Sequence, residues 1–347
     1  MENTLLRAMH PNRGEEVYTS VDDELEQALT SAAIIDRSFL GRIDVTGTDR
    51  LDLLHRLSTN DLLRLQPGEL APTVFTTDKG RIVDYVYVLA AENSVQLITS
   101  AGSEDRLVGW IEKYHIMEDI SFSIRTGATA MYTIIGPRSA ELVARLLSTD
   151  LPRGRHTFIR WRDLPLHLVH VQEFDTHQFN IILPVEESES FWGFVVEQAS
   201  AATIPMLGTR AYSALKCLLG IPSSGAELSE SFNPYEAGLR HAISFTKGCY
   251  IGQEVIARLD TYRKIQRQLV GILFETSLDC CNDPPVLFKQ GEEAGFLTSM
   301  SSTAFRGRYP ALGIIKKEAA LQGGSVDVQC STAEIRGRIV QIFDRSS

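Results

Sequence analysis

Apolar residues fall along this chain in two textures, and the change between them comes near Tyr262. Ahead of that point, short apolar runs alternate with stretches at helical spacing. Residues 22–31 have the composition of a helix. Residues 34–45 carry apolar runs broken by Asp36, Arg37, Gly41 and Arg42, which predicts two strands and a turn. Leu51, Leu53, Leu54 and Leu57 then recur at helical spacing within 48–57. Residues 74–77 and 82–90 flank the turn Asp78-Lys79-Gly80-Arg81 and predict a hairpin, with Asp84 inside its second strand. A strand at 95–99, a helix at 104–114 and extended structure at 121–124 follow. Strands at 129–135, 166–171 and 179–183 and helices at 139–147 and 186–199 form a second mixed set.

After Tyr262 the chain turns to short strands with glycine or proline between them, at 269–274, 285–288, 295–299, 311–316, 326–329 and 336–343. That density predicts a small β-barrel or sandwich. The first twenty residues are mixed and polar and read as a loose arm. A length of 347 residues exceeds what one hydrophobic core usually fills, so two or three domains are expected.

Composition narrows the functional classes. Hydrophobic residues make up 44% and charged residues 22%, which argues against wholesale disorder. The formal net charge is -10 with no long basic run, so no direct nucleic-acid partner is expected. A local basic patch around Arg258, Arg263, Lys264 and Arg267 remains compatible with that balance. Arg306, Arg308 and Tyr309 read as a solvated loop. No apolar stretch reaches the roughly 18–20 residues of a membrane helix, and no signal-peptide core opens the chain. The five cysteines, Cys217, Cys249, Cys280, Cys281 and Cys330, form no Cys-x-x-Cys pair and no zinc spacing, so no metal site is expected. Their odd count suggests a reducing compartment: the cytoplasm, or an organellar matrix or stroma.

Candidate chemistry concentrates in Lys247-Gly248-Cys249-Tyr250-Ile251-Gly252-Gln253-Glu254. The glycines permit a sharp bend, and 253–259 reads as a helix beginning just after it. Cys249 near a helix N-terminus, with Lys247 two residues away, is a setting that favours thiolate. Glu254 and Arg258 are spaced to pair across one turn. The bland alternative is a buried small hydrophobe in an ordinary turn. Among the histidines, His167 and His170 stand three apart, and on a strand such residues face opposite sides, which suits structure better than a metal.

The octapeptide resembles the K-G-C-Y-x-G-Q-E signature of the YgfZ family. Gly220-Ile221-Pro222, Gly225-Ala226-Glu227-Leu228 and the run from Asn233 to Leu239 resemble that family's G-I-P, G-x-E-L and P-x-E-x-G-L segments in the right order. The likeness is continuous over about 207–271. The N-terminal region is similar to the wider aminomethyltransferase fold at Asp44-Val45-Thr46-Gly47-Thr48-Asp49, at Leu57-Ser58-Thr59-Asn60-Asp61, at Gly68 and at the 78–87 hairpin. Gly295-Phe296-Leu297-Thr298-Ser299 and Ala311-Leu312-Gly313 resemble its C-terminal barrel.

This resemblance implies an α+β fold of the glycine cleavage T-protein kind, with two mixed α/β domains and a C-terminal small β-barrel ringing a central channel for tetrahydrofolate. The expected domains are 1–125, folate-binding; 126–264, carrying the KGCYIGQE loop; and 265–347, the barrel. Asp84, Asn60 and Tyr87 are the expected folate contacts. Cys249 is the expected reactive residue, tuned by Lys247, with Gly248, Tyr250, Gly252, Gln253 and Glu254 shaping the loop.

The function so implied is support of iron–sulphur protein assembly or repair, including tRNA-modifying enzymes, with folate and iron–sulphur proteins or assembly factors as partners. The alternative is a folate-dependent aminomethyltransferase. Several departures bear on that choice. Val83 stands where the T-protein has the first of two aspartates, leaving Asp84 alone. Asp175, His177 and Gln178 replace a Gly-Tyr-Thr-Gly-Glu segment, and Lys216 and Leu218 replace an arginine and a glutamate.

Overall fold

The computed structural model describes residues 16–200, 205–261, 265–278, 285–329 and 334–345. Arg263, Lys264, Cys280, Cys281, Cys330 and most of the expected N-terminal arm lie outside them. Helix α1 (Val21–Thr30) opens on Ser20, whose side chain accepts from the Asp23 N–H. Strands β1 (Ala33–Asp36) and β2 (Gly41–Thr46), helix α2 (Arg50–Leu57), strands β3 (Leu70–Thr76), β4 (Ile82–Ala90) and β5 (Ser94–Thr99), helix α3 (Glu104–Ile111) and strand β6 (Ser121–Ile124) follow. Five of these strands form a sheet in the order β3-β4-β5-β2-β6. Its buried face, with Ile43, Phe75, Val86 and Leu97, closes against Leu53 and Leu54 of α2 and Leu107 and Ile111 of α3.

A second five-stranded sheet has the order β1-β7-β10-β9-β8, built from β1 with β7 (Thr129–Ile135), β8 (Arg155–Trp161), β9 (Leu164–Glu173) and β10 (Thr176–Pro184). Helices α4 (Ser139–Leu147) and α5 (Ser188–Ser200) accompany it. All pairings in both sheets are antiparallel. Strand β1 crosses from the first stretch of chain to the edge of the second sheet, which ties the two together.

Helix α6 (Thr209–Leu219) and helix α7 (Gln253–Thr261) lead to a closed barrel of six strands: β11 (Arg267–Phe274), β12 (Val286–Lys289), β13 (Glu292–Met300), β14 (Tyr309–Lys316), β15 (Ser325–Gln329) and β16 (Glu334–Ile342). The predicted barrel is thus present, and closure leaves it without a free strand edge. Strand β8 and helix α6 have no counterpart among the predicted elements.

A further core, holding Leu25, Ile35, Leu215, Leu239, Leu312 and Phe343, joins residues from all three modules. Gly220 ends α6 in the left-handed region at φ 62°, and a Cβ there would stand 2.7 Å from the Phe343 ring. Only glycine therefore lets the C-terminal segment dock at this hub.

Candidate functional site

The hub surrounds a cavity. Tyr85 and Tyr87, two residues apart on β4, point to the same face, with ring centroids 5.4 Å apart in an edge-to-face contact. Both hydroxyls donate to Oε2 of Glu173, which ends β9; the Tyr87 bond is 2.7 Å. His241 Nε2 lies 3.2 Å from the Tyr85 oxygen and 3.7 Å from Glu173 Oε1. Burial first, and then the Glu173 charge, push both tyrosine pKa values well above the ordinary one.

Arg37 Nη1 donates to Gln178 Oε1 at 2.9 Å while its guanidinium lies 5.5 Å from the Tyr212 ring centroid. Arg345 stacks 4.5 Å from the Phe174 centroid and donates to the Leu219 carbonyl at 2.6 Å. Burial lowers the Arg345 pKa.

Arg37, Tyr85, Tyr87, Phe174, Tyr212 and Lys216 line the cavity, which encloses about 50 Å³. An adjoining cavity of about 400 Å³ shares Tyr212, Lys216 and Ser224 with it and is otherwise rich in hydroxyls. Several buried polar atoms at this junction have no hydrogen-bond partner: Arg37 Nε, His241 Nδ1, Arg345 Nε and Thr209 Oγ1. Folded chains rarely leave such atoms unsatisfied; Arg37 lines the hub cavity and Thr209 the adjoining one, while His241 and Arg345 touch the lining residues Tyr85 and Phe174, which makes this junction the candidate ligand site.

Of the expected folate contacts, Tyr87 lines the cavity and the other two stand apart from it. Asp84 is wholly buried on the opposite face of β4, where Oδ2 accepts from the Ser100 N–H at 3.1 Å and Oδ1 has no partner. Burial pushes its pKa up to about 6. It faces the core of the first module, because the side of β4 away from the tyrosines is covered by α2 and α3. Asn60 lies with the KGCYIGQE loop, its side chain donating to the Pro72 carbonyl at 2.7 Å and its own carbonyl accepting from Lys247.

That loop is clamped between α2 and the β3–β4 hairpin. The Ile251 N–H donates to the Arg56 carbonyl, and Thr76 Oγ1 donates to the Ile251 carbonyl at 2.9 Å. Gly252, at φ 82°, passes so close to Thr77 that a Cβ would stand 2.5 Å from its carbonyl oxygen. Gln253 donates to the Gly248 carbonyl, Tyr250 is buried beside Tyr235 and Ile256, and Glu254 pairs with Arg258 at 3.1 Å on the solvent side.

Lys247 has a role in the fold that its motif did not show. Its buried ammonium donates to the carbonyls of His55 at 2.5 Å, Ser58 at 2.7 Å and Asn60 at 2.7 Å. Those three acceptors take all three hydrogens, so Lys247 secures the C-terminal end of α2, and any influence on Cys249 is through its charge and not a hydrogen bond. Burial pulls its pKa down to about 7, with Asp61 opposing. Cys249 itself is exposed, four residues ahead of the start of α7.

His167 and His170 point to opposite sides of β9, as their spacing predicts: His167 meets His156 at 2.9 Å, and His170 meets His177 at 3.0 Å. Glu173, His241 and Arg345 were not legible as site residues. They carry no motif, and only the folded chain brings them to Tyr85.

The comparisons with known proteins agree with this architecture. The glycine cleavage system aminomethyltransferase T from Bartonella henselae superposes with a TM-score of 0.78 at 17% identity, over 97% of this chain and 96% of that one. The Arabidopsis thaliana protein named "Putative transferase At1g60990, chloroplastic" is 30% identical over 318 residues, 90% of this chain and 72% of its own length. An aminomethyltransferase of Desulfitobacterium hafniense is 27% identical over 329 residues, 93% of this chain and 89% of its own length. The family model described as the GCVT N-terminal domain matches residues 7–247. With its two antiparallel sheets, its closing barrel and a match over most of its length, the chain belongs to the GCVT family and has the T-protein fold.

Proposed function

We propose that this chain binds tetrahydrofolate in the cavity at the hub and handles a one-carbon unit there, as a folate-dependent transferase of the aminomethyltransferase kind. The observation that carries the reading is a cavity walled by Tyr85, Tyr87, Tyr212 and Phe174 with the unpartnered Nε of Arg37 in its lining, backed by the unpartnered His241 Nδ1 and Arg345 Nε against Tyr85 and Phe174. A flat heterocycle with donors and acceptors on its rim suits such a wall, and relatives named aminomethyltransferase favour folate as that heterocycle. Bound tetrahydrofolate would supply a nitrogen that accepts the carbon unit. Glu173, held by two tyrosine hydroxyls, keeps a fixed acceptor at the rim, and the aromatic wall excludes water.

A cavity of about 50 Å³ holds a water or two, so binding requires the shared wall of Tyr212, Lys216 and Ser224 to yield toward the larger space. Calorimetric titration of the full chain with tetrahydrofolate tests the reading, together with aminomethyl transfer from a lipoyl carrier. Glu173→Gln should weaken binding about tenfold, a loss of about 1.4 kcal/mol. No heat of binding for the unaltered chain would sink it.

A second reading rests on Cys249, exposed in a loop of the K-G-C-Y-x-G-Q-E type. It is the YgfZ role in assembly or repair of iron–sulphur proteins. Rescue of iron–sulphur enzyme activity in cells lacking their own YgfZ, by the intact chain and not by Cys249→Ala at equal abundance, would favour it. Aminomethyl transfer without rescue would favour the first.

A further inference from the structure

We infer that the outer face of the barrel carries a separate binding site, for an extended acidic peptide of a partner protein. A groove of about 600 Å³ runs there between β11, β16 and the turn before β15, away from the hub. Among the described residues Arg308, Arg336 and Arg338 line it with one carboxylate, Glu275, and Asp327 stands beside it on Arg336. In a chain with 34 basic and 44 acidic residues, this is a local reversal of sign.

The strand geometry explains how the guanidiniums gather. A Cβ on Gly337 would meet the Phe274 ring at 2.5 Å and Ile272 at 2.7 Å, so position 337 faces the barrel interior. Arg336 and Arg338, on either side of it, therefore both face out. Arg336 is tied to Asp327 at 3.0 Å, and Arg308 is paired with Glu275 across the groove. Arg338 stands opposite Leu273 on β11 and Ser325 on β15, so neither residue directly across from it is acidic, and the nearest acid on β15, Asp327, is held by Arg336.

The ligand follows from spacing and from what the groove lacks. Two residues along a strand span roughly 6.6 Å, which is also the separation of carboxylates at alternate positions of an extended peptide. Guanidinium forks bind carboxylates two bonds at a time. The barrel is closed, so recognition is by side chains and not by adding a strand. A single-stranded nucleic acid offers a similar charge spacing, but among the described residues the lining holds no aromatic ring on which a base could stack.

Fluorescence anisotropy at low ionic strength tests this, using the full chain and a labelled peptide of alternating glutamate and serine. Arg338→Gln should weaken binding about tenfold, and Glu275→Gln, which frees Arg308, should tighten it about threefold. A peptide with glutamine in place of glutamate should not bind. All the altered side chains are exposed, and thermal melting checks that each variant folds. Should Arg338→Gln melt early, Arg308→Gln replaces it with the same expected loss. Absence of peptide binding, equal affinity in the arginine variants, or stronger binding of an oligothymidylate of equal charge would each overturn the proposal.

Discussion

Lys247 Nζ lies 2.7 Å from the carbonyl oxygen of Ser58, the residue that ends α2. With the bonds to His55 and Asn60, one side chain of the KGCYIGQE loop satisfies one carbonyl of the last helical turn and two just past it. The first residue of the motif therefore acts in the fold, joining the loop to the first module.

Replacing Lys247 by methionine keeps the apolar stem and removes the three donors. Each stranded carbonyl carries a penalty, part of it recovered by water, so a loss of about 3 kcal/mol is expected. Urea denaturation of both proteins measures it as a lower midpoint at unchanged slope. A loss under about 1 kcal/mol would mean that the ammonium is dispensable to the fold.

How much of this was legible in the sequence depended on where each residue finds its partners. Strands β11 to β16 could be read because glycine or proline punctuates short apolar runs, although their pairing, with β11 between β14 and β16, could not. Strand β8 could not, since its polarity is inverted: Phe158 is 69% exposed while His156 is buried. Helix α6 packs against α1 and the barrel on several sides through Ala211, Ala214 and Cys217, so it shows no clean polar face. The site divides in the same way. Tyr87 and the loop of Cys249 lie in segments with family-like spacing, whereas Glu173 and His241 stand 88 and 156 residues from Tyr85 and meet it only through tertiary structure.

Asp84 makes stability depend on pH. Its carboxyl titrates near 3.8 in the unfolded chain and about 6 in the folded one, because burial disfavours the anion. Folding thus favours the protonated form, and that contribution is full below pH 3.8 and lost as pH rises through 6. Asp84→Asn, which cannot ionise, should be more stable than the parent at pH 8 by up to about 3 kcal/mol. The two should converge near pH 3.5. Melting curves at the two pH values decide the matter, and an equal offset at both would contradict an ionised Asp84 at pH 8.

The two described cysteines should differ sharply in reactivity. Cys217 is 3% exposed, and burial pushes its thiol pKa up to about 12, whereas Cys249 is exposed. Titration of the native protein with a disulfide reagent should lose one rapidly reacting thiol in Cys249→Ala and none in Cys217→Ala. Cys249→Ala should leave stability within about 0.5 kcal/mol of the parent, as expected of a surface substitution. A slow Cys249 would weigh against any role that needs its thiol.

The His156–His167 pair bridges the two sheets with acceptors at both ends. His156 Nε2 faces the Ala90 carbonyl at 2.8 Å, its Nδ1 faces His167 Nε2 at 2.9 Å, and His167 Nδ1 faces Gln96 Oε1 at 3.2 Å. The Gln96 amide nitrogen is already held by Asp44 at 2.9 Å, which fixes its oxygen toward the histidine. Three such bonds need three N–H groups, and two neutral rings supply only two. Burial nevertheless holds both rings toward neutrality and lowers the His167 pKa to about 3. A folded value below the ordinary 6.5 means that the pair stabilises above pH 6.5 and loses that contribution as pH falls toward 3. His167→Gln removes the titrating ring and keeps an amide that can bond at this position. Between pH 7 and pH 4 the variant should lose about 2 kcal/mol less stability than the parent, read from denaturant midpoints at each pH. Parallel losses would place the acid sensitivity of the inter-sheet joint elsewhere.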